Sequence, residues 1–275
     1  MEIRNEELKE IIDIWDLKED VKKEIFKLLD ESPSSSPAHL FRYYVPEGKE
    51  DKVGRLEKEV AKKFGTKYAL AVNSGTSALI ASLIACGIGP GDEVIVPGYT
   101  FFASASAVVV AKGIPVIAEI DETLTIDPDD IEKKITPQTK GIIPVHMRGL
   151  PCNMDRIMEI AKKYNLKVIE DCAQADGGSY KGKYLGSFGD TGCFSFDFYK
   201  IIATGEGGMI ITDDEKTYIR AQSWHDTAAC WRPNRYEKER IPGELFCGEN
   251  YRMSQIEGAI GLVQLRKLDS YLNSL

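Results

Sequence analysis

One lysine, Lys200, stands between an aromatic segment and a glycine-dense turn. The segment reads Phe194-Ser-Phe-Asp-Phe-Tyr199, and the turn reads Thr204-Gly-Glu-Gly-Gly208. Glycines permit positive φ angles and a close approach of the backbone, which a site built around a bulky ligand needs. A lysine in this position is either an ordinary surface charge or an amine that is held in place to react.

Three further groups that could do chemistry each follow a predicted strand. Asn73-Ser-Gly-Thr76 opens a helix, where backbone N–H groups and hydroxyls favour a phosphate, although an ordinary N-cap is the alternative. Phe101 and Phe102 could pack in the core or offer a ring face to a flat ligand. Asp171 ends a buried strand, so its carboxylate needs a cation or backbone amides as a partner.

Short apolar strands alternate with helices from Val53 onward. Strands are predicted at 68–72, 93–96, 114–118, 142–145 and 167–170, and helices at 54–64, 76–86, 104–112 and 155–164. Strands that are apolar on both faces and alternate with helices indicate a mainly parallel sheet between two helical layers, a three-layer α/β/α fold. Ligands of such sheets collect beyond the carboxyl ends of the strands, where the groups described above lie.

The composition excludes several classes of protein. The chain has 275 residues, of which 43% are hydrophobic and 28% charged, so it is neither a membrane-spanning nor a disordered protein. A net charge of -8 disfavours non-specific binding to nucleic acid. The six cysteines include no Cys-x-x-Cys pair and the three histidines are scattered, so no metal site is predicted. Without a signal peptide pattern or a membrane-length apolar run, we expect a cytoplasmic location and no membrane partner.

The two ends of the chain differ in pattern from the middle. Apolar residues recur at helical spacing over 5–30, and residues 31–37 are rich in serine and proline. We therefore predict a helical appendage with a linker over 1–36, which packs on the main body or on a partner subunit, and one large domain over 37–275. Residues 224–240 are predicted to form a loop over the substrate entrance, and 250–268 a long helix.

A phosphate site, an aromatic plate, a buried acid and an amine thus follow one another on successive strand ends. Pyridoxal 5′-phosphate has four matching parts: a phosphate, a flat ring, a basic ring nitrogen and an aldehyde. A dinucleotide is disfavoured because residues 73–77 lack the G-x-G-x-x-G spacing. Pyridoxal 5′-phosphate is therefore the predicted cofactor.

From about Val53 to Asp269 the sequence resembles the DegT/DnrJ-type sugar aminotransferases, pyridoxal-phosphate-dependent enzymes of fold type I. Several short segments, in a fixed order, carry the resemblance. They are NSGTSAL at 73–79, PGYTFFAS at 97–104, IPVH at 143–146, IEDCAQA at 169–175, SFDFYK at 195–200 with TGEGG at 204–208, and NYRM at 250–253.

The resemblance implies that Lys200 and Asp171 are catalytic, with Lys200 joined to the cofactor as a Schiff base and Asp171 paired with the ring nitrogen. It also implies a set of cofactor contacts: Gln174 near the ring 3-hydroxyl, Phe101 on the ring face, Gly75, Thr76 and Ser195 at the phosphate, and Asn250 at the phosphate of the neighbouring subunit's cofactor. The active unit would then be a homodimer with shared active sites.

The activity that the resemblance implies is transfer of an amino group from an amino acid, commonly glutamate, to a keto sugar. In the family the sugar is usually nucleotide-linked and serves amino-sugar or polysaccharide biosynthesis. One branch replaces the lysine with histidine and dehydrates sugars, so Lys200 favours transamination. Family members continue into a smaller C-terminal domain, which we expect to be missing here. Another fold type I reaction such as sugar dehydration, and a non-catalytic cofactor-binding relative, stay open as alternatives.

Three places in the sequence are not explained by this resemblance, because they differ from the family pattern or have no assigned role. Met147-Arg148 stands where the family commonly has a bulky aliphatic or aromatic pair, and Arg148 is either a rim charge for an anionic substrate or a solvated side chain. Asp176 stands where the family often has histidine. His225 is assigned no role.

Overall fold

The computed structural model describes residues 2–232, 243 and 246–274. Its helices are α1 (Asn5–Asp13), α2 (Glu19–Glu31), α3 (Lys52–Phe64), α4 (Gly75–Ala85), α5 (Ala103–Val110), α6 (Pro128–Lys134), α7 (Met154–Tyr164), α8 (Glu215–His225) and α9 (Gln255–Leu272). Its strands are β1 (Tyr68–Val72), β2 (Glu93–Pro97), β3 (Ile114–Ala118), β4 (Thr139–Ile142), β5 (Lys167–Asp171), β6 (Ser179–Tyr180), β7 (Lys183–Tyr184), β8 (Thr191–Ser195) and β9 (Gly208–Thr212).

Seven of the strands form one sheet in the order β1-β9-β8-β5-β4-β2-β3. Only β9 runs antiparallel to its neighbours in this sheet, and the pairs from β8 through β3 are all parallel. The remaining two strands, β6 and β7, pair with each other as a short hairpin. The predicted mainly parallel sheet is confirmed, and the carboxyl ends of its parallel strands share one edge.

Helices cover both faces of the sheet because successive residues of each strand point to opposite faces. Leu70 and Val72 of β1 pack into an apolar cluster with α4, α5 and α8. Ala69 and Ala71 face the other side, where α3 and α9 pack. Helices α6 and α7 extend that second layer next to β4 and β5. The predicted three-layer α/β/α architecture is confirmed.

Two predicted boundaries are wrong, each for a local reason. The long helix begins at Gln255 instead of residue 250, because Ser254 caps it and Asn250 pairs with Asp226 in an isolated β-bridge. Strand β4 ends at Ile142, where residues 142–145 were predicted, and Pro144, which has no N–H group to donate, follows soon after it.

The N-terminal helices α1 and α2 pack against each other and connect to the main body. The backbone N–H of Ala38 donates to the carbonyl of Ile3 at 2.8 Å. An apolar cavity of about 620 Å³ separates α1 from α9 and the loop before α3. The appendage thus contacts the main body, and its boundary after residue 36 stays a prediction.

In the described part of the chain, no helix is both long and apolar enough to cross a membrane. The cytoplasmic location stays a prediction. The loop predicted over residues 224–240 is described only as far as residue 232, because residues 233–242 lie outside the described part of the chain. Its predicted start is wrong, since Trp224 and His225 belong to α8.

Candidate active site

A cavity of about 430 Å³ lies beyond the carboxyl ends of the parallel strands, a volume typical of small-molecule sites. Seven of the eight predicted site residues line it: Gly75, Thr76, Phe101, Asp171, Gln174, Ser195 and Lys200. They come from the ends of β1, β2, β5 and β8 and from the loop between β8 and β9. The fold therefore brings together residues that lie up to 125 positions apart, from Gly75 to Lys200.

One corner of the cavity is the N-terminus of α4. The hydroxyl of Ser74 accepts the N–H of Ser77 at 3.0 Å, which caps the helix and leaves the N–H groups of Gly75 and Thr76 without partners inside it. A Cβ on Gly75 would lie 2.7 Å from the Cβ of Ser195, so only glycine lets α4 start this close to β8. Two N–H groups, two hydroxyls and the helix dipole make this corner suitable for a phosphate.

The cavity is also lined by Asp171, the last residue of β5, which is buried. Its Oδ2 accepts the hydroxyl of Ser104 at 2.7 Å, and its Oδ1 accepts the N–H of Ala173 at 3.1 Å. Burial raises the pKa of Asp171, and the Ser104 hydrogen bond opposes that rise. Within the described residues no ion pair reaches this carboxyl. A buried acid of this kind is complementary to a protonated ring nitrogen, because such a cation would stabilise the ionised carboxylate.

Lys200 lies in the tight loop that joins β8 to β9. Its N–H donates to the carbonyl of Asp197 at 3.0 Å, and the N–H of Phe198 donates to Gly205 at 3.1 Å. Gly207 has a φ of 148°, and a Cβ there would lie 2.6 Å from the hydroxyl of Thr204. The backbone of this turn therefore requires glycine at position 207, and the turn sets the backbone position of Lys200.

The rim and the support of the site include residues that the sequence did not single out. Tyr199 lines the cavity, as Phe101 does, and the two residues are 89% and 69% exposed. Thr100 and Ser104 hydrogen-bond to each other at 2.8 Å, and Ser104 continues to Asp171. Thr100 and Ser104 are spaced by four residues within the segment PGYTFFAS, and that spacing was the only signal for this hydroxyl pair.

Asn250 is the one predicted site residue that does not line this cavity. It is exposed, and its Oδ1 accepts the N–H of Arg252 at 3.4 Å. Its predicted contact with a neighbouring subunit's cofactor stays a prediction. His225 is also away from the cavity: it is fully buried, and its Nδ1 donates to the carbonyl of Gln222 at 2.7 Å.

His146, Glu170 and Cys172 form a buried cluster at the end of β5. The atoms through which they could bind a metal ion lie within 4.8 Å of one another. The His146 Nδ1 accepts the N–H of Cys152 at 3.2 Å, so its Nε2–H donates to Glu170 at 3.1 Å. Glu170 also accepts three backbone N–H groups, from Gly186, Phe188 and Gly189, at 2.7–2.8 Å. Burial raises the pKa of Cys172 to about 12, which disfavours a thiolate ligand. The hydrogen bonds thus account for this cluster as structural support.

Comparison with known proteins agrees with this geometry. Residues 47–274 match the DegT/DnrJ/EryC1/StrS aminotransferase family. The chain belongs to this family. Its members depend on pyridoxal phosphate, so the predicted family and cofactor are confirmed.

Named relatives and solved structures lie at moderate identity. The chain is 45% identical over 230 residues to GDP-perosamine synthase of Caulobacter vibrioides, covering 80% of this chain and 59% of that protein. The aminotransferase from Psychrobacter cryohalolentis matches with a TM-score of 0.74 and 42% identity, covering 80% of this chain and 57% of the other. NtdA from Bacillus subtilis, solved with bound cofactor PMP, matches with a TM-score of 0.72 and 33% identity over 92% and 55% of the two chains. The chain thus spans less than three fifths of the length of these relatives.

Proposed function

We propose that this chain is the cofactor-binding part of a pyridoxal-phosphate-dependent sugar aminotransferase. It would transfer an amino group from an amino acid, glutamate, to a keto sugar carried on a nucleotide, for amino-sugar or polysaccharide biosynthesis. The observation that carries the proposal is the single cavity in which Lys200, Asp171 and the N-terminus of α4 meet. The similarity to GDP-perosamine synthase supports the choice of a nucleotide-linked sugar.

Each part of the cofactor has residues that would hold it. Gly75, Thr76 and Ser195 would bind the phosphate, Asp171 the ring nitrogen and Lys200 the aldehyde carbon. Phe101 would cover the ring face, and Gln174 would support the ring near its 3-hydroxyl. The fit rests on two observations: glycine at position 75 lets the N-terminus of α4 lie against Ser195 at the cavity, and Asp171 is a buried acid with no ion pair among the described residues.

When bound, pyridoxal phosphate supplies an electron sink for the negative charge that develops on the substrate carbon. Asp171 would hold the ring nitrogen proton, since its carboxylate gains a cationic donor that offsets the cost of burial. Lys200 would bind the cofactor before the substrate arrives and would then move a proton with its Nζ, as a general base and acid. The turn that fixes Lys200 would keep this atom facing the cavity.

We further propose that the active unit is a homodimer. Four aromatic side chains at the cavity rim or next to it are exposed by two thirds or more: Phe101, Phe102, Phe198 and Tyr199. Exposed apolar clusters of this kind mark interaction surfaces. A second copy of the chain would cover them, and its Asn250 would reach the phosphate. Sedimentation of wild type and F102D tests this: a dimer that F102D weakens supports it, and a wild-type monomer at micromolar concentration rejects it.

The central experiment is borohydride reduction of the protein incubated with pyridoxal phosphate, followed by peptide mass mapping. A pyridoxyl adduct on the peptide that contains Lys200, absent from K200A, is the expected result. An unmodified Lys200 in excess cofactor would reject the proposal. Glutamate should then bleach the yellow colour of the bound cofactor, as expected when its aldehyde becomes an amine. An adduct without this shift would leave a non-catalytic cofactor-binding protein or a different fold type I reaction.

A further inference from the structure

Arg148 occupies a strained turn beside the candidate active site. It lies between β4 and α7 with φ 55° and ψ 28°, the left-handed region that disfavours residues other than glycine. Its N–H donates to Oε1 of Gln174 at 3.2 Å, which ties the turn to the cavity wall. Strain alone marks no site, since the exposed Lys112 has φ 67° in a turn before β3. The location of Arg148 is what sets it apart.

A second, smaller cavity of about 280 Å³ lies beside the main one and shares lining residues with it. Arg148 and Asp176 line it, together with Gln174, Tyr199 and Lys200, which also line the main cavity. A ligand that reacts at Lys200 can therefore extend toward Arg148. Gly75 and Thr76, at the phosphate corner of the main cavity, do not line this smaller one.

The charge of this smaller cavity favours an anion. Within the described residues, no side chain forms an ion pair or a hydrogen bond with the Arg148 guanidinium, which is exposed. Asp176 is the only acid among the lining residues, and its side chain is 1% exposed. Its Oδ2 accepts the N–H of Ile202 at 3.3 Å and its Oδ1 has no partner. Burial raises the pKa of Asp176 to about 8, so it does not neutralise Arg148 near pH 7.

We propose that Arg148 is a specificity-determining residue that binds an oxyanion of the substrate, a carboxylate or a phosphate, next to Lys200. The guanidinium presents two parallel N–H donors, which match either group. The inference rests on the proposed function, because it takes Lys200 as the reacting residue. Two sources could supply the anion: a carboxylate of the amino donor, or the diphosphate of the nucleotide-linked acceptor.

Titration calorimetry on the cofactor-loaded protein tests this, since the cofactor's own phosphate site is then occupied. The probes are glutarate, a dicarboxylate without the reacting amine, and inorganic pyrophosphate. In R148A the dissociation constant of one probe should rise about tenfold, as expected for loss of a charge-assisted pair. A rise for glutarate assigns Arg148 to the donor, and a rise for pyrophosphate to the acceptor. K112A, which removes an exposed cation that also has a positive φ, in the turn before β3, should change neither.

The variant R148G distinguishes a role of Arg148 in anion binding from a role in stabilising the fold. Glycine relieves the left-handed backbone, so the thermal midpoint should stay the same or rise while anion binding is still lost. Equal affinities in wild type and R148A, or no measurable binding of either probe by the wild type, would overturn the inference. Borohydride mapping of the same samples tests the proposed function independently. If Arg148 does not bind the anion, the pyridoxyl adduct on Lys200 should still form.

Discussion

The hydroxyl of Ser104, at the start of α5, donates a 2.7 Å hydrogen bond to Oδ2 of Asp171, at the end of β5. Both side chains are buried, so this bond lies in a region of low dielectric constant, where hydrogen bonds to a charged group are strong. It stabilises the ionised form of Asp171 against the effect of burial. The bond therefore links the aromatic segment after β2 to the acid that the proposed function assigns to the ring nitrogen.

The first prediction concerns this bond. In S104A the pKa of Asp171 should rise further, because the ionised carboxylate loses a donor. A protonated Asp171 has no negative charge with which to stabilise a protonated ring nitrogen, so the dissociation constant of pyridoxal phosphate at pH 7 should rise about tenfold. Absorbance titration of the apoprotein measures this. S106A, on the same helix, bonds only its own helix backbone and is the control. Equal affinities in S104A and S106A would reject the role of Ser104.

The second prediction concerns Glu170, the neighbour of Asp171, whose side chain accepts three backbone N–H groups and His146. E170A leaves these buried donors without an acceptor, which should lower the free energy of unfolding by about 3 kcal/mol or more. Urea denaturation measures the loss. E159Q, which alters an exposed glutamate paired with Arg156, should change it by less than about 1 kcal/mol. Similar losses in both variants would show that Glu170 does not support β5 in this way.

The third prediction concerns pH and Asp176. Its pKa is raised from 3.8 to about 8 in the folded protein, chiefly by burial. Between these values the folded state keeps a proton that the unfolded state has released. Its contribution to stability is therefore full below about pH 4 and is lost as the pH rises towards 8, by up to about 1.4 kcal/mol per unit.

The variant D176N should remove this slope, because an amide does not titrate in that range. The measurement is the difference between wild-type and D176N unfolding free energies at intervals from pH 4 to 9. The difference should shift in favour of D176N as the pH rises to about 8 and then level off. A difference that is constant with pH would mean that Asp176 is ionised in the folded protein at neutral pH.

The fourth prediction concerns His225, for which stability should depend on pH in the opposite direction to that expected for Asp176. Burial, with a smaller effect of the Arg42 charge, lowers the pKa of His225 from 6.5 to about 3. Its contribution is therefore present above about pH 6.5 and is lost as the pH falls, by up to about 1.4 kcal/mol per unit. H225N should flatten the acid limb of the stability profile, because the asparagine amide does not titrate in that range. Parallel acid limbs in wild type and H225N would contradict the prediction.

Most of the fold could be predicted from the sequence because strand and helix patterns are local. The apolar run at 68–72 and the hydroxyl-rich turn after it were each readable within a few residues, and both match the structure. The start of α9 was predicted too early, although Ser254 and Glu257 form a capping box that marks this start in the sequence. The bridge between Asn250 and Asp226 also holds residue 250 outside the helix. That bridge joins parts of the chain 24 residues apart, which a local pattern does not report.

The sequence by itself was enough to predict seven of the eight residues proposed for the site, all except Asn250, as neighbours in one cavity. Parallel strands bring their carboxyl ends to one edge, so the order of Gly75, Phe101, Asp171 and Lys200 along the chain was enough to predict a common cavity. Only the tertiary structure decided their environments. Burial of Asp176, the Ser104 bond to Asp171 and the uncompensated charge of Arg148 depend on which atoms surround each group. Electrostatic energy varies with burial and distance in three dimensions, and neither quantity is written in the spacing of residues along the chain.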